Sequence, residues 1–166
     1  MERLLEKLNK VEEYVASSLL IMTSLLVFVQ VILRYFANYS ISWSEEIALM
    51  MIVWFIFLGS SIAVREKAHV NMDALPNILP PKGKLLLELV SLIISVVFCG
   101  LITMAGVNMV IGAYDIGSAS TSLKIPLYIP YASVPVGLLL MMIRYLIQLK
   151  NLFVEAIDIF GKREAK

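Results

Sequence analysis

The chain has 166 residues, 60% of them hydrophobic and only 16% charged, with a mean hydropathy of +0.85. That mix lies far from a soluble globular domain's. A net charge of +1 gives no basis for nucleic acid as a partner, and the single cysteine, Cys99, excludes an intramolecular disulfide.

Four runs, Tyr14–Leu33, Ile47–Val64, Leu89–Tyr114 and Ile125–Ile143, hold no Asp, Glu, Lys, Arg or His. About 20 apolar residues carry a helix across a roughly 30 Å hydrocarbon core. The expectation is an all-α integral membrane protein, one membrane domain over 1–166 with transmembrane helices at 14–33, 47–64, 89–114 and 125–143. Basic residues fix the threading. Arg3, Lys7, Lys10, Arg65, Lys67, Lys82, Lys84, Arg144, Lys150, Lys162, Arg163 and Lys166 fall on one side, and only Arg34 and Lys124 on the other. Because basic residues stay cytoplasmic, both termini are expected inside and the connections Arg34–Glu46 and Asp115–Lys124 outside.

In chain order, residues 1–13 form an amphipathic segment with Leu4, Leu5, Leu8 and Val11 on one stripe, suited to the membrane surface or a partner helix. Its mixed charge, the length of the run after it and the lack of a small-residue cleavage pattern predict a retained first helix rather than a signal peptide. The outer connection then brings Arg34-Tyr35 close to Ser42-Trp43-Ser44-Glu45-Glu46. Ser42 and Glu45 have capping-box spacing, and carboxylates suit a helix N-terminus. Trp43 suits the headgroup level. The stretch reads either as a capped helix with an ion pair from Arg34, or as a charged rim that meets a partner.

The second run carries Gly59 and Ala63, small residues where another helix backbone can approach. Past it, Arg65 and Lys67 are positive-inside anchors. His69 and Asp73 would share a helix face, but two ligands make a poor metal site, and His69 alone is a structural group or a pH switch. The third run has Ser91, Ser95, Cys99 and Thr103 at four-residue intervals, a small-residue face for packing within the helix bundle or against another protein. In the fourth, Pro126 suits a helix start, whereas Pro130 and Pro135 remove backbone hydrogen bonds and favour a kink. A second amphipathic segment, 145–160, follows with Tyr145, Leu149, Leu152, Phe153, Ala156 and Phe160 on its apolar stripe.

Absences narrow the function. A four-helix haem cytochrome needs pairs of axial ligands, and His69 is the only histidine. A membrane thiol–disulfide enzyme needs paired cysteines. A small proton-coupled exporter would keep a carboxylate within a span, and the four runs have none. No catalytic, metal-binding or cofactor-binding set can be assembled. Readings that survive include a subunit of a larger complex and a self-associating channel or carrier.

Arg34-Tyr35, Trp43-Ser44-Glu45-Glu46, Trp54, Leu58-Gly59, Arg65 and His69-Val70, in this order and spacing, resemble the small membrane subunit of the tripartite ATP-independent periplasmic (TRAP) transporters. The later Ser122-Leu123-Lys124-Ile125-Pro126, Tyr131, Pro135-Val136-Gly137 and Arg144 match more loosely. The resemblance implies a small subunit beside a large transport subunit. The large subunit would carry the sodium and solute sites and move like an elevator, while a periplasmic binding protein delivers an organic acid such as sialic acid or a C4-dicarboxylate. It implies no cofactor in this chain and a bacterial or archaeal cytoplasmic membrane. Arg34, Trp43, Glu45 and Glu46 would form the outer rim near those partners, and Arg65 and His69 the inner anchor of the second span.

Overall fold

A computed structural model describes the backbone of residues 2–36, 38, 41–66 and 81–164, with side chains described over 8–36, 38, 41–66, 83 and 85–153. The helices are α1 (Glu2–Phe36), α2 (Ser42–Arg65), α3 (Pro81–Asp115), a single turn α4 (Tyr128–Tyr131) and α5 (Ser133–Glu164). The described chain is helical with no strand beyond an isolated bridge, Ala119 to Pro126. Four stretches, Leu8–Phe36, Ser42–Arg65, Leu85–Asp115 and Tyr128–Phe153, are long and apolar enough to cross a membrane.

The two terminal segments are continuous with their neighbouring spans. No Gly or Pro interrupts Glu2–Phe36, so nothing stops the helix between the amphipathic stripe and the first apolar run. At 1.5 Å per residue α1 is about 52 Å long, well beyond a roughly 30 Å hydrocarbon core. α5 likewise continues past Ile143 to Glu164. Within the amphipathic stripes, the side chains of Leu4, Leu5, Ala156 and Phe160 lie outside the described set.

Packing is sequential: α1 on α2, α2 on α5 and α5 on α3, with α4 tucked against α2, α3 and α5. Among the described residues the α1 backbone packs on neither α3 nor α5, and α2 does not pack on α3. The order α1–α2–α5–α3 is an open row. α1 and α3 are its edges, and only 11% of the span window in each is buried.

The α3–α5 seam repeats every seven residues. Leu92, Cys99, Gly106 and Ala113 are the buried positions of α3, the spacing that keeps one stripe facing a neighbouring helix. This corrects the expected file of Ser91, Ser95, Cys99 and Thr103. A four-residue step gains about 40° on each repeat of a 3.6-residue helix, so the file winds off the seam. Ser91 is exposed, Ser95 and Thr103 are half-buried, and Cys99 alone is buried. Ser95 Oγ donates to its own helix at the Ser91 carbonyl, 2.9 Å away.

The tightest crossings are made by other glycines. A Cβ on Gly137 would lie 2.6 Å from Phe57 Cβ and 3.1 Å from the Phe57 carbonyl carbon and oxygen, which fixes how closely α5 approaches α2. A Cβ on Gly106 would meet Pro135 Cδ and Val134 Cγ1 at 3.2 Å, on the α3–α5 side. Gly59 is different: the nearest atom belongs to Phe55 of its own helix, 3.9 Å away. Both Gly59 and Ala63 are half-buried.

Pro130 and Pro135 bracket the interruption between α4 and α5 at Ala132. Pro135 occupies the first turn of α5, where a missing N–H has no intrahelical partner to lose. Ala132 keeps helical angles, φ −62° and ψ −21°. The Pro130 carbonyl is taken by the Ser133 hydroxyl at 2.6 Å, and Ser133 is fully buried.

Candidate functional site

Polar side chains gather at the two ends of the row. At the end where α2 begins, α3 stops in a Schellman arrangement. Gly117, at φ +65°, donates its N–H to Tyr114 O, and Ser118 N–H reaches Ala113 O, both at 3.1 Å; glycine suits that left-handed position because it lacks a Cβ. The chain then forms a tight loop closed by Ser120 N–H to Ile125 O (2.8 Å) and Leu127 N–H to Ser118 O (2.9 Å).

The loop wraps the Glu46 carboxylate. Ser120 Oγ donates to Glu46 Oε2, Ser122 N–H to Oε1 at 2.9 Å and Leu123 N–H to Oε2 at 3.2 Å. Glu45, one residue earlier, accepts from Gln30 Nε2 of α1 at 2.9 Å. The acidic pair at the start of α2 thus clasps the α3–α4 connection on one side and α1 on the other.

Two expectations change here. The N-cap of α2 is Ile41 with no side-chain cap, so Ser42 and Glu45 form no capping box. It is Ser44 whose hydroxyl bonds Ile41 O at 2.8 Å. Arg34 is exposed and belongs to neither clasp; Gln30, one turn nearer on α1, takes Glu45 instead. Trp43 is 48% exposed.

The opposite end of the row holds a denser cluster across α1, α2 and α5. Arg144 of α5 donates from Nη1 to Ser61 O of α2 (2.8 Å), and from Nη2 to Asn9 Oδ1 (3.2 Å) and Glu12 Oε2 of α1. The side chains of Arg144 and Glu12 are only 11% and 7% exposed. One turn on, Gln148 Nε2 donates to Val64 O at 2.7 Å. Arg65 bonds Glu13 of α1 and, through Nε at 3.0 Å, its neighbour Glu66. α1 and α5 share no backbone contact; the long Arg144 side chain joins them over α2.

The structure therefore places Arg65 in a brace between α2 and α1. His69 lies outside the described residues. Asn9, Glu12, Glu13, Arg144 and Gln148 were missed as a site by sequence reasoning. Their signal was a pair of polar residues one helical turn apart at the same end of each helix: Asn9 with Glu12, Ser61 with Arg65, Arg144 with Gln148. Chemically, each cluster couples carboxylate to donor so that one helix holds another. Polar contacts of that kind hold helices together within lipid, where apolar burial supplies little drive.

Comparison with known proteins assigns this architecture to a family. Residues 23–155 match the model of the DctQ component of the tripartite ATP-independent periplasmic transporters. The chain is 38% identical over 102 residues, 61% of its length, to a Haemophilus influenzae protein provisionally named a TRAP transporter small permease protein, of which 63% is covered. It is 32% identical over 104 residues, 63% of the chain, to the C4-dicarboxylate TRAP transporter small permease protein DctQ of Rhodobacter capsulatus, of which 46% is covered. In both cases the chain spans less than two thirds of the relative's own length. It is also 36% identical over 75 residues, 45% of the chain, to 12% of the sialic acid TRAP transporter permease protein SiaT of Haemophilus influenzae. With the model matching most of the chain, including the Glu45 and Glu46 clasps and the α2–α5 part of the Arg144 cluster, the chain belongs to the DctQ component of the tripartite ATP-independent periplasmic transporters, a membrane subunit of a transporter and not an enzyme.

Proposed function

We propose that this chain is an accessory scaffold subunit that stabilises a larger transport subunit in a sodium-gradient-driven, binding-protein-dependent importer of an organic acid. The carrying observation is the open row. α1 and α3 are edge helices with mostly unburied apolar spans, and the polar side chains at the row's ends brace helix to helix. A plate built this way suits a fixed support laid against a larger body, since its described helices pack in an open row rather than around a solute path. Solute and sodium are then bound by the large subunit, and this chain carries no cofactor.

The name of SiaT, a permease protein that aligns with this chain over only 12% of its length, supports a small part working beside a larger one. The relatives named for C4-dicarboxylate and sialic acid support an organic acid as solute. The membrane is the cytoplasmic (inner) membrane, with both termini in the cytoplasm, as the distribution of basic residues favours. Impermeant labelling of cysteines placed at Ser122 and Lys150 distinguishes this threading from its inverse. With Glu45 and Glu46 engaged within the chain, Arg34 and Trp43 are the rim residues left to face a partner such as the periplasmic binding protein.

The test is to purify the tagged chain from its native membrane in mild detergent and identify what accompanies it. A stable complex with a much larger polytopic subunit is expected. Isolation as a homo-oligomer that conducts or carries solute when reconstituted alone would overturn the scaffold reading.

A further inference from the structure

Because the backbones of α1 and α5 flank α2 without packing on each other, an open trough runs between them over α2, with a volume of about 690 Å³. Its floor and walls toward the membrane centre are apolar: Val15, Trp54, Leu58, Leu140 and Ile143. Its other end carries the polar groups of Asn9, Glu12, Arg65, Arg144, Gln148 and Asn151 beside Leu8, Val11 and Ile147. From Trp54 to Arg65 on α2, and from Leu140 to Asn151 on α5, the trough runs about 16 Å at 1.5 Å per residue. That is close to half of a roughly 30 Å hydrocarbon core, the depth of one leaflet.

We propose that this trough is a binding site for a zwitterionic aminophospholipid from the leaflet on the basic side of the protein, with one acyl chain lying along α2. Charge complementarity selects the headgroup. Arg65 presents a guanidinium at the mouth, with Gln148 and Asn151 as amide donors beside it, and guanidinium with amide donors suits a phosphodiester. Among the described residues, Glu13 and Glu66 engage Nε and Nη2 of Arg65 and none engages Nη1, the nitrogen offered to the phosphate. These two carboxylates are themselves 48% and 63% exposed, open to an ammonium group one headgroup length away. An anionic headgroup without the ammonium would meet the same two carboxylates with no compensation. The proposal rests on the chain spanning the membrane and is independent of its partner in transport.

Native mass spectrometry of the purified full chain, alone or in its complex, tests this after exchange against phosphatidylethanolamine or phosphatidylglycerol. One retained phosphatidylethanolamine per chain is expected, in preference to phosphatidylglycerol. Leu140→Trp, which fills the trough without touching the polar end, should lower retention roughly tenfold. Leu139→Trp, at a neighbouring position 42% exposed and outside the trough, should leave it unchanged and serves as the control for folding. Glu13→Gln with Glu66→Gln should remove the preference between the two lipids. The proposal is overturned if the wild-type chain retains no phospholipid, or if the two tryptophan variants retain it equally. It also fails if a photo-crosslinker at Leu140 captures a second polypeptide rather than lipid.

Discussion

Glu12 and Arg144 carry the most consequential single contact. Both are nearly buried, and a buried charge left without its partner costs about 3–5 kcal/mol. Arg144→Ala should destabilise the chain by that amount in a detergent unfolding assay, whereas Glu12→Met with Arg144→Met should recover most of the loss, because it removes both desolvated charges together. Equal instability of the single and double variants would show that Arg144 matters for its carbonyl bond to Ser61 rather than for the ion pair. At the other end, Glu46 accepts two backbone N–H groups from the loop. Glu46→Ala should speed hydrogen exchange at the Ser122 and Leu123 amides while leaving the Ser120 amide, bonded to Ile125 O at 2.8 Å, far less affected. Unchanged exchange at all three would mean the loop holds its shape without the carboxylate.

The helices themselves owe their lengths to what interrupts them. α1 runs 35 residues without a Gly or Pro, and α3 begins on Pro81 and ends just before Gly117, positions where each residue's backbone preference does no harm. Their spacing is set by small residues that are not interchangeable. Gly137→Ala would drive a Cβ into Phe57 backbone and side chain, and overpacking of this kind costs about 1–3 kcal/mol. Gly59→Ala meets only a side-chain atom at 3.9 Å and should be neutral or slightly stabilising, since alanine is the better helix former. Thermal unfolding of the two variants side by side checks the contrast. A loss at Gly59 matching that at Gly137 would point to a neighbour on α2 from outside this chain.

Taken whole, the molecule is a plate. Four spans in a row give two broad apolar faces and two edges, and the polar residues close each end of the row. The apolar runs made the helices and their membrane character legible at once, since hydropathy is a local property and about 20 residues of it suffice. The family was legible too, because its specific residues between Arg34 and Asp73 lie in one continuous stretch. Which residues form the site was not. Glu46 was visible at a helix start, but its partners Ser120, Ser122 and Leu123 are 74 to 77 positions away. Arg144 was visible beyond the last apolar run, but Glu12 lies 132 positions before it. The sequence by itself determined that four stretches are long and apolar enough to cross a membrane, and the family to which the chain belongs, because each of those follows from neighbouring residues. Only the tertiary structure decided that the helices stand in the order α1–α2–α5–α3, that Gly137 rather than Gly59 sets a crossing, and that the charged ends are braces. Pairings between distant helices depend on which faces meet, and a periodicity that suits several neighbours equally well does not choose among them.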